Sequence, residues 1–521
     1  FSIIFPSPPP GAGSRSGGRV RREFGEKRGR RLRATREVFE AGRVIIFKEA
    51  RLHRIELRAR MPFRYGIATM TDLPHVVLAL TFEIDGRVAT GIAADHLPPK
   101  WFTKDPTRAP LDEIDDMLAV IRAAVNHTRG LRAATVFSFW RELYAAQSAW
   151  AKGEISGKAV PPLLAHFGTS LVERALIDAF GRARGASFAA GLRENIFGVE
   201  LGALRPELAG TAPRDWLPSK PAQSVIARHT VGLSDPLEDG EIAAEDRVSD
   251  GLPQALDACV RFYGLRHFKI KINGEAARDR DRLTRMAGIL AKACAGSDWA
   301  FSLDGNESFK EVGVFADYAR GLMAAPELKA LWPRLLFIEQ PWHRDVALSP
   351  AIGDLARAWP DRPPIIIDES DAELGSLPSA LALGYAGTSH KNCKGIFKGV
   401  VNACRLAQRR ATGESGLLSG EDLSNVGPVA LLQDFAVQAA LGVTSVERNG
   451  HHYFKGLSAW PTAVQAHVLA QHGDVYVSAG DGAGWPRVDV RGGDVRIGSV
   501  TSGAGLGAAV PPLEGLAFED L

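Results

Sequence analysis

The chain has 521 residues, 45% hydrophobic and 24% charged; that length calls for two or three core-forming units, and that composition excludes a fibre or a disordered chain. No apolar run reaches the roughly 18–20 residues that span a bilayer, and four cysteines without a CxxC pair exclude a disulfide scaffold and favour a reducing compartment, here expected to be the cytoplasm. The net charge of +3 is uneven: residues 1–38 carry ten Lys/Arg against three acids, leaving about −4 (3 − 7) for the rest.

Residues 1–38, with PSPPPGAG, SRSGG and EKRGRRLR, lack apolar periodicity and are expected to be a disordered basic tail rather than a nucleic-acid arm. The chain begins with Phe1 instead of Met, which suggests a truncated or displaced start. From Phe39 to Pro98 the pattern is strand-like: His53–Leu57 alternates, and Val76–Ile84 runs into the Asp85-Gly86 turn and returns at Val88–Ala93. Leu111–Ala124, Ser138–Ala151 and Thr169–Arg184 have helical periodicity. This is an α+β unit, assigned to 39–175.

A different rhythm begins near Ser224. VIARHTV, HFKIKI, WAFSLD, LLFIEQ, PIIIDE, GTSHK, GLLSG and VTSVE are eight candidate strands, separated by helical stretches such as Arg278–Ala295 and Gly395–Ala411. Strands alternating with helices predict an α/β protein with a TIM-type barrel, assigned to 176–450. The tail 451–521, with strands at Val475–Ser478 and Val495–Ile497, is expected to pack back on barrel and cap.

Polar residues at the carboxyl ends of barrel strands converge on the axis. Those positions hold Lys269, Lys271, Asp304, Glu339, Asp368 and Lys391. Three acids, each closing an apolar run on successive strands, cannot be buried together without a cation, and hard oxygen ligands suit Mg²⁺. The bland alternative makes each acid a helix cap or a surface ion pair; three in register argue against it. Lys269 and Lys271 share one face of their strand. Mutual repulsion is expected to depress one pKa toward neutrality, which suits a base for a carbon acid. A surface KxK on an edge strand is the plainer reading, weakened by the strand's place within a closed barrel.

Together FKIKI, LDGN, FIEQP, IIIDES and the lysine in TSHKNCKG resemble the enolase superfamily, in particular its muconate lactonizing enzyme-like branch within the mandelate racemase/muconate lactonizing enzyme family. The spacings of 33 residues (271 to 304), 35 (304 to 339), 29 (339 to 368) and 23 (368 to 391) are each about one β/α unit. The resemblance runs from about Arg51 to the end. It implies a modified (β/α)7β barrel with an N-terminal capping domain completed by the C-terminal segment. It also implies Asp304, Glu339 and Asp368 as ligands of Mg²⁺, with Mn²⁺ a possible substitute. Lys271 and Lys391 would be acid/base groups on opposite faces of the substrate, with Lys269 tuning Lys271. Asn306 and Glu369 would orient ligands and lysine. The chemistry implied is removal of the proton α to a carboxylate, giving a metal-stabilised enolate that leads to racemisation or epimerisation, cycloisomerisation or syn-dehydration.

Lys394 competes with Lys391, which fits the spacing better. His390 is expected to face the barrel wall, and Cys393 to be structural. The seventh strand, LLSGEDLSN, has no histidine for a His–Asp dyad, which favours two lysines. Asp422, Asn425, Glu447, Asn449, His451 and His452 are either substrate contacts or loop-stabilising groups. Loops at about 60–73 and 96–105 would close over the mouth. There Phe63, Tyr65, Trp101 and Phe102 would exclude solvent, and Arg64 or Lys100 would meet a substrate anion. Tyr65, Trp101 and Glu447 are the candidate substrate contacts. The expected partner is a small carboxylate, without nucleic acid or membrane, with the chain possibly a homo-oligomer. Two other readings compete: a Schiff-base lyase of aldolase type using Lys391 or Lys271, and a non-catalytic barrel that only binds.

Overall fold

In the computed structural model the described residues are 44–155, 157–479 and 484–521, and Val44–Leu521 form one compact unit. The expected basic tail lies outside them.

The N-terminal sheet is built on a long antiparallel hairpin, Ile45–Tyr65 with Ala68–Ile84, followed by a third strand, Arg87–His96. The turn at Asp85-Gly86 has positive φ at both residues (51° and 77°), the requirement of a type I′ hairpin that Asp-Gly meets at little cost. Hairpin pairing continues to Tyr65↔Ala68. Residues 60–73 are therefore the end of a ribbon, and the expectation of a loop there is corrected. The sequence alternates poorly in this stretch because the pairing shifts register between Arg58 and Phe63.

Helices Pro110–Thr128, Val136–Trp150 and Pro162–Arg184 cover the sheet. The third is buried from Leu163 to Gly181 and ends where Gly185 adopts a left-handed conformation. It lies so close to the third strand that a Cβ on Gly91 would sit 2.0 Å from the Ala175 carbonyl oxygen.

All eight strands read from the sequence form, as Ser224–Val231, His267–Lys271, Ala300–Asp304, Leu335–Glu339, Ile365–Ile367, Gly387–His390, Leu417–Gly420 and Ser445–Arg448. They pair in parallel and in order, and the eighth closes on the first through Ser445↔Ile226 to Arg448↔His229. Their apolar side chains are covered by helices such as Ala276–Ala293, Ile396–Ala411 and Ala430–Leu441, whose apolar faces turn inward. The C-terminal segment returns twice. Asp494–Arg496 adds antiparallel to the first barrel strand, and Glu519–Asp520 pairs with Arg51 and Leu52 of the cap sheet. The architecture is an α/β parallel eight-stranded barrel with an antiparallel N-terminal cap that the C-terminal strand joins. No described helix is long and apolar enough to cross a membrane.

Candidate active site

Strand register sets the site. Lys271 stands level with Asp304, and Asp304 with Glu339, on adjacent strands. Three further groups come one residue past a strand end: Asp368 after Ile367, Lys391 after His390 and Glu421 after Gly420. All six are buried.

Lys269 is the hub. Its Nζ lies 3.0 Å from Asp304, 2.9 Å from Glu339, 2.7 Å from Glu421 and 3.0 Å from Glu447. Four carboxylates around one ammonium exceed its three protons. Lys271 donates to Asp304 Oδ2 at 2.6 Å, and Lys391 to Asp368 Oδ2 at 2.7 Å, with Glu421 Oε2 at 3.1 Å. Lys394 reaches Asp368 Oδ1 at 3.0 Å and the Ser389 carbonyl at 2.7 Å. Of the two candidate lysines, Lys391 lines the cavity while Lys394 stays behind Asp368.

Between these groups the expectation of a depressed lysine is reversed for Lys269. Burial alone would pull its pKa down, but Asp304, Glu339, Glu421 and Glu447 hold it well above the usual value. Lys391 is likewise lowered by burial and raised further by Asp368 and Glu421. The effect on the acids is reciprocal: burial raises Glu421, and Lys269 and Lys391 bring it well below the carboxylate range. Glu339 goes the other way, pushed up by burial and by Glu421 beyond what Lys269 offsets.

A divalent cation fits this set. One carboxylate oxygen each from Glu339, Asp368 and Glu421 lies within 4.8 Å of the others. Glu339 Oε2 is buried without a hydrogen-bond partner, so the hard acceptors exceed what the protein's own donors satisfy. Glu421 is not among the residues the sequence pattern singled out; the signal that marks it is its position directly after a strand, as for Asp368 and Lys391.

Asn306 turns its backbone N–H onto Asp304 Oδ1 at 2.8 Å, and its carbonyl accepts from Lys104 at 2.9 Å. Both carboxylate oxygens of Glu369 are buried without a partner, and burial, with Asp368 adjacent, pushes its pKa up to about 7.

A cavity of about 440 Å³, counting space open to solvent, lies above the cluster, bounded by Tyr65, Trp101, Lys271, Lys391, Asp422 and Glu447 among others. Phe63, Asn306 and Asn449 also line it. The Trp101 ring lies 4.8 Å from Lys391 Nζ, Tyr65 donates to the Pro99 carbonyl at 3.0 Å, and Glu447 accepts from Thr230 at 2.7 Å. Phe102 packs instead on Phe167. Asp422 pairs with Arg448, and Asn425 bonds Asp434 at 2.8 Å away from the cavity. Neither expected anion contact faces the cavity. Lys100 is taken by Glu113 at 2.7 Å because its loop folds onto a cap helix, and Arg64 is exposed on the hairpin. His390 bonds Asn392 and packs against Gly399; burial lowers its pKa to about 3. Cys393 is buried, and desolvation raises its thiol well above the usual value.

The loop carrying Trp101 is fastened to the barrel. Arg344 donates to the carbonyls of Trp101 and Phe102 at 2.9 and 2.8 Å while its fork holds Glu307, and Lys104 also pairs with Glu307 at 3.0 Å.

No protein-family model matches the sequence, and no curated protein matches it either. Solved structures do match. A dipeptide epimerase from Cytophaga hutchinsonii, complexed with Mg and the dipeptide D-Ala-L-Val, is 14% identical with a TM-score of 0.55, covering 91% of this chain and 99% of its own. An N-succinyl Arg/Lys racemase from Bacillus cereus gives 16%, 0.55, 91% and 100% for the same quantities. A muconate lactonizing enzyme from Pseudomonas fluorescens, complexed with muconolactone, gives 16%, 0.53, 90% and 99%. Over about nine-tenths of its length, therefore, the chain has the fold of the mandelate racemase/muconate lactonizing enzyme-type members of the enolase superfamily.

Proposed function

We propose that this chain is an isomerase or lyase of the enolase superfamily that removes the proton α to a small substrate's carboxylate. The observation carrying this reading is that Lys271 and Lys391, from the second and sixth strands, line one cavity above a buried carboxylate cluster. Asp304, Glu339 and Asp368, from three adjacent strands, would hold Mg²⁺. When bound, that ion supplies positive charge to offset the negative charge developing on the substrate carboxylate.

The protein's own groups do the rest. Lys271 Nζ takes the α-proton on one face, and Lys391, kept protonated by Asp368 and Glu421, gives a proton on the other. Lys269 holds Asp304, Glu339, Glu421 and Glu447 in place. Trp101 and Tyr65 exclude water from above. Return of a proton to the opposite face gives racemisation or epimerisation; elimination or ring closure follows when a leaving group or a second unsaturation is present. The dipeptide and muconolactone bound by structural neighbours support a small carboxylate as substrate. A Schiff base at Lys391 fits less well, because an amine nucleophile must be unprotonated and Lys391 is held as an ammonium ion.

Incubation with Mg²⁺ in D₂O against acid sugars, N-acylamino acids and dipeptides tests the reading. Deuterium should enter the α-carbon of a substrate and fail to do so with Lys271→Ala or Lys391→Ala. Absence of exchange from every α-carboxylate would refute it.

A further inference from the structure

Outside the barrel mouth, the densest group of potential ligands lies behind the first strand. Arg228 and Thr230 point inward, to Glu421 and Glu447, so His229 between them points outward from the barrel wall. There it meets Cys259, on the helix Leu256–Tyr263, and His452, in the short helix Gly450–Tyr453 that follows the eighth strand. A ring nitrogen of each histidine and Cys259 Sγ lie within 4.8 Å of one another, and all three residues are buried.

We propose that His229, Cys259 and His452 form a second metal site, for a tetrahedral borderline-soft cation of the Zn²⁺ class, separate from the carboxylate cluster. Cys259 Sγ lies 3.5 Å from His452 Nδ1. Bonds of about 2.3 Å to sulfur and 2.0–2.1 Å to nitrogen place these atoms roughly 3.6 Å apart around a tetrahedral ion. The surroundings match what ligating histidines need. His229 Nδ1 is backed by His451 Nε2 at 3.1 Å, leaving the other ring nitrogen for a ligand. Behind His452 Nε2, Asp235 Oδ2 stands at 4.0 Å. Asp235 is itself buried, and its Oδ2 accepts from Tyr453 and from the Gly232 N–H at 2.7 Å, with Arg282 nearby.

Charge then balances: one divalent ion, the Cys259 thiolate and the Asp235 carboxylate sum to zero. On binding, the thiol proton leaves to solvent and the S–metal bond replaces S–H. The site also has a structural role. Arg60 of the cap hairpin donates to the His452 carbonyl at 3.1 Å, and Phe63 stacks on Tyr453 with centroids 4.2 Å apart. A metal here would tie the hairpin over the cavity to the barrel.

The full chain, stripped by chelator and kept in excess Mg²⁺ to occupy the carboxylate cluster, would be titrated with Co²⁺. One equivalent should produce a thiolate-to-cobalt charge-transfer band with tetrahedral d–d bands, displaced by one equivalent of Zn²⁺. The band should be lost in Cys259→Ser and retained in Asp368→Asn. A missing band, or one that survives Cys259→Ser, would overturn the proposal. If Cys259→Ser does not fold, X-ray absorption on the Zn²⁺-loaded wild type decides: a shell containing one sulfur and two imidazole nitrogens supports the site, and an all-oxygen shell eliminates it.

Discussion

At the scale of single residues, the cluster contains more acids than one divalent ion needs, and the question is which of them it takes. Ammonium contacts do not separate Asp304 from Glu421, since each accepts two, although Glu421 Oε1 also accepts from Ser419 at 3.2 Å and Arg228 at 3.4 Å. Register does: Asp304 is level with Glu339 on the neighbouring strand, whereas Glu421 reaches in from the seventh strand, between Lys269 and Lys391. Asp304→Asn and Glu339→Gln are therefore expected to abolish the rise in Tm that Mg²⁺ produces, and Glu421→Gln to leave most of it. Equal loss in Glu421→Gln would move the third ligand to that residue. Glu421→Gln has a different cost. It removes one charged acceptor from Lys269, which keeps Asp304, Glu339 and Glu447, and from Lys391, which keeps Asp368, so about 1–3 kcal/mol of stability should vanish in chemical denaturation without metal. For the lysines, Lys271→Ala or Lys391→Ala should reduce kcat by about 10²–10⁴-fold, measured on whichever substrate exchanges its α-proton.

At the scale of elements, the Trp101 loop is the part most open to adjustment. Its closed position rests on the two hydrogen bonds that Arg344 donates to the Trp101 and Phe102 carbonyls and on the Lys104–Glu307–Arg344 pairing. Arg344→Ala should raise KM more than it lowers kcat, and should speed amide exchange over residues 97–108. Unchanged exchange there would mean that packing of Trp101 and Phe102 alone holds the loop. None of these fasteners was legible in the sequence, because Lys104, Glu307 and Arg344 lie far apart in the chain and belong to no pattern. The barrel was legible because each strand is a short apolar run followed by a helix, a local signal repeated eight times. Asp304, Glu339 and Asp368 could be singled out for the same reason, since each directly follows such a run. Glu421 obeys that rule too, directly after Leu417–Gly420, but a second acid, Asp422, follows it at once, and the strand pattern does not say which of two adjacent acids turns inward. The hairpin at 60–73 was mistaken for a loop because its pairing depends on a register shift, and Glu519–Asp520 is too short to show any periodicity.

At the scale of the whole molecule, buried histidines fix how stability responds to acid. His96 at the cap–barrel seam bonds the Leu423 carbonyl at 2.8 Å, with Arg448 and His75 nearby. His166 stacks on Tyr144 within the cap, near Lys398. His472 in the C-terminal segment bonds Ser499 at 2.9 Å and accepts from Ala509, with Asp474 and His467 in range. Burial lowers all three, to about 4, 3 and 4. Their folded pKa values lie below the unfolded value of about 6.5. The stability they contribute is thus complete above pH 6.5 and is lost as pH falls toward 4, where the unfolded chain binds protons that the folded one refuses. Glu173 opposes this: burial raises it to about 7, so its contribution is complete below its unfolded pKa and lost as pH rises through 7. His229 and His390, lowered to about 3, act in the same direction and Glu369, raised to about 7, acts with Glu173 and Glu339, so the five histidines outnumber these raised acids and leave a net loss on acidification, each histidine adding about 1.4 kcal/mol per pH unit inside its window. Tm measured by calorimetry should therefore fall from pH 6.5 to pH 4.5. His472→Asn should make the fall shallower by about one proton's worth. A Tm that stays flat from pH 6.5 to 4.5, in wild type and variant alike, would show that these rings take up protons without leaving their buried positions.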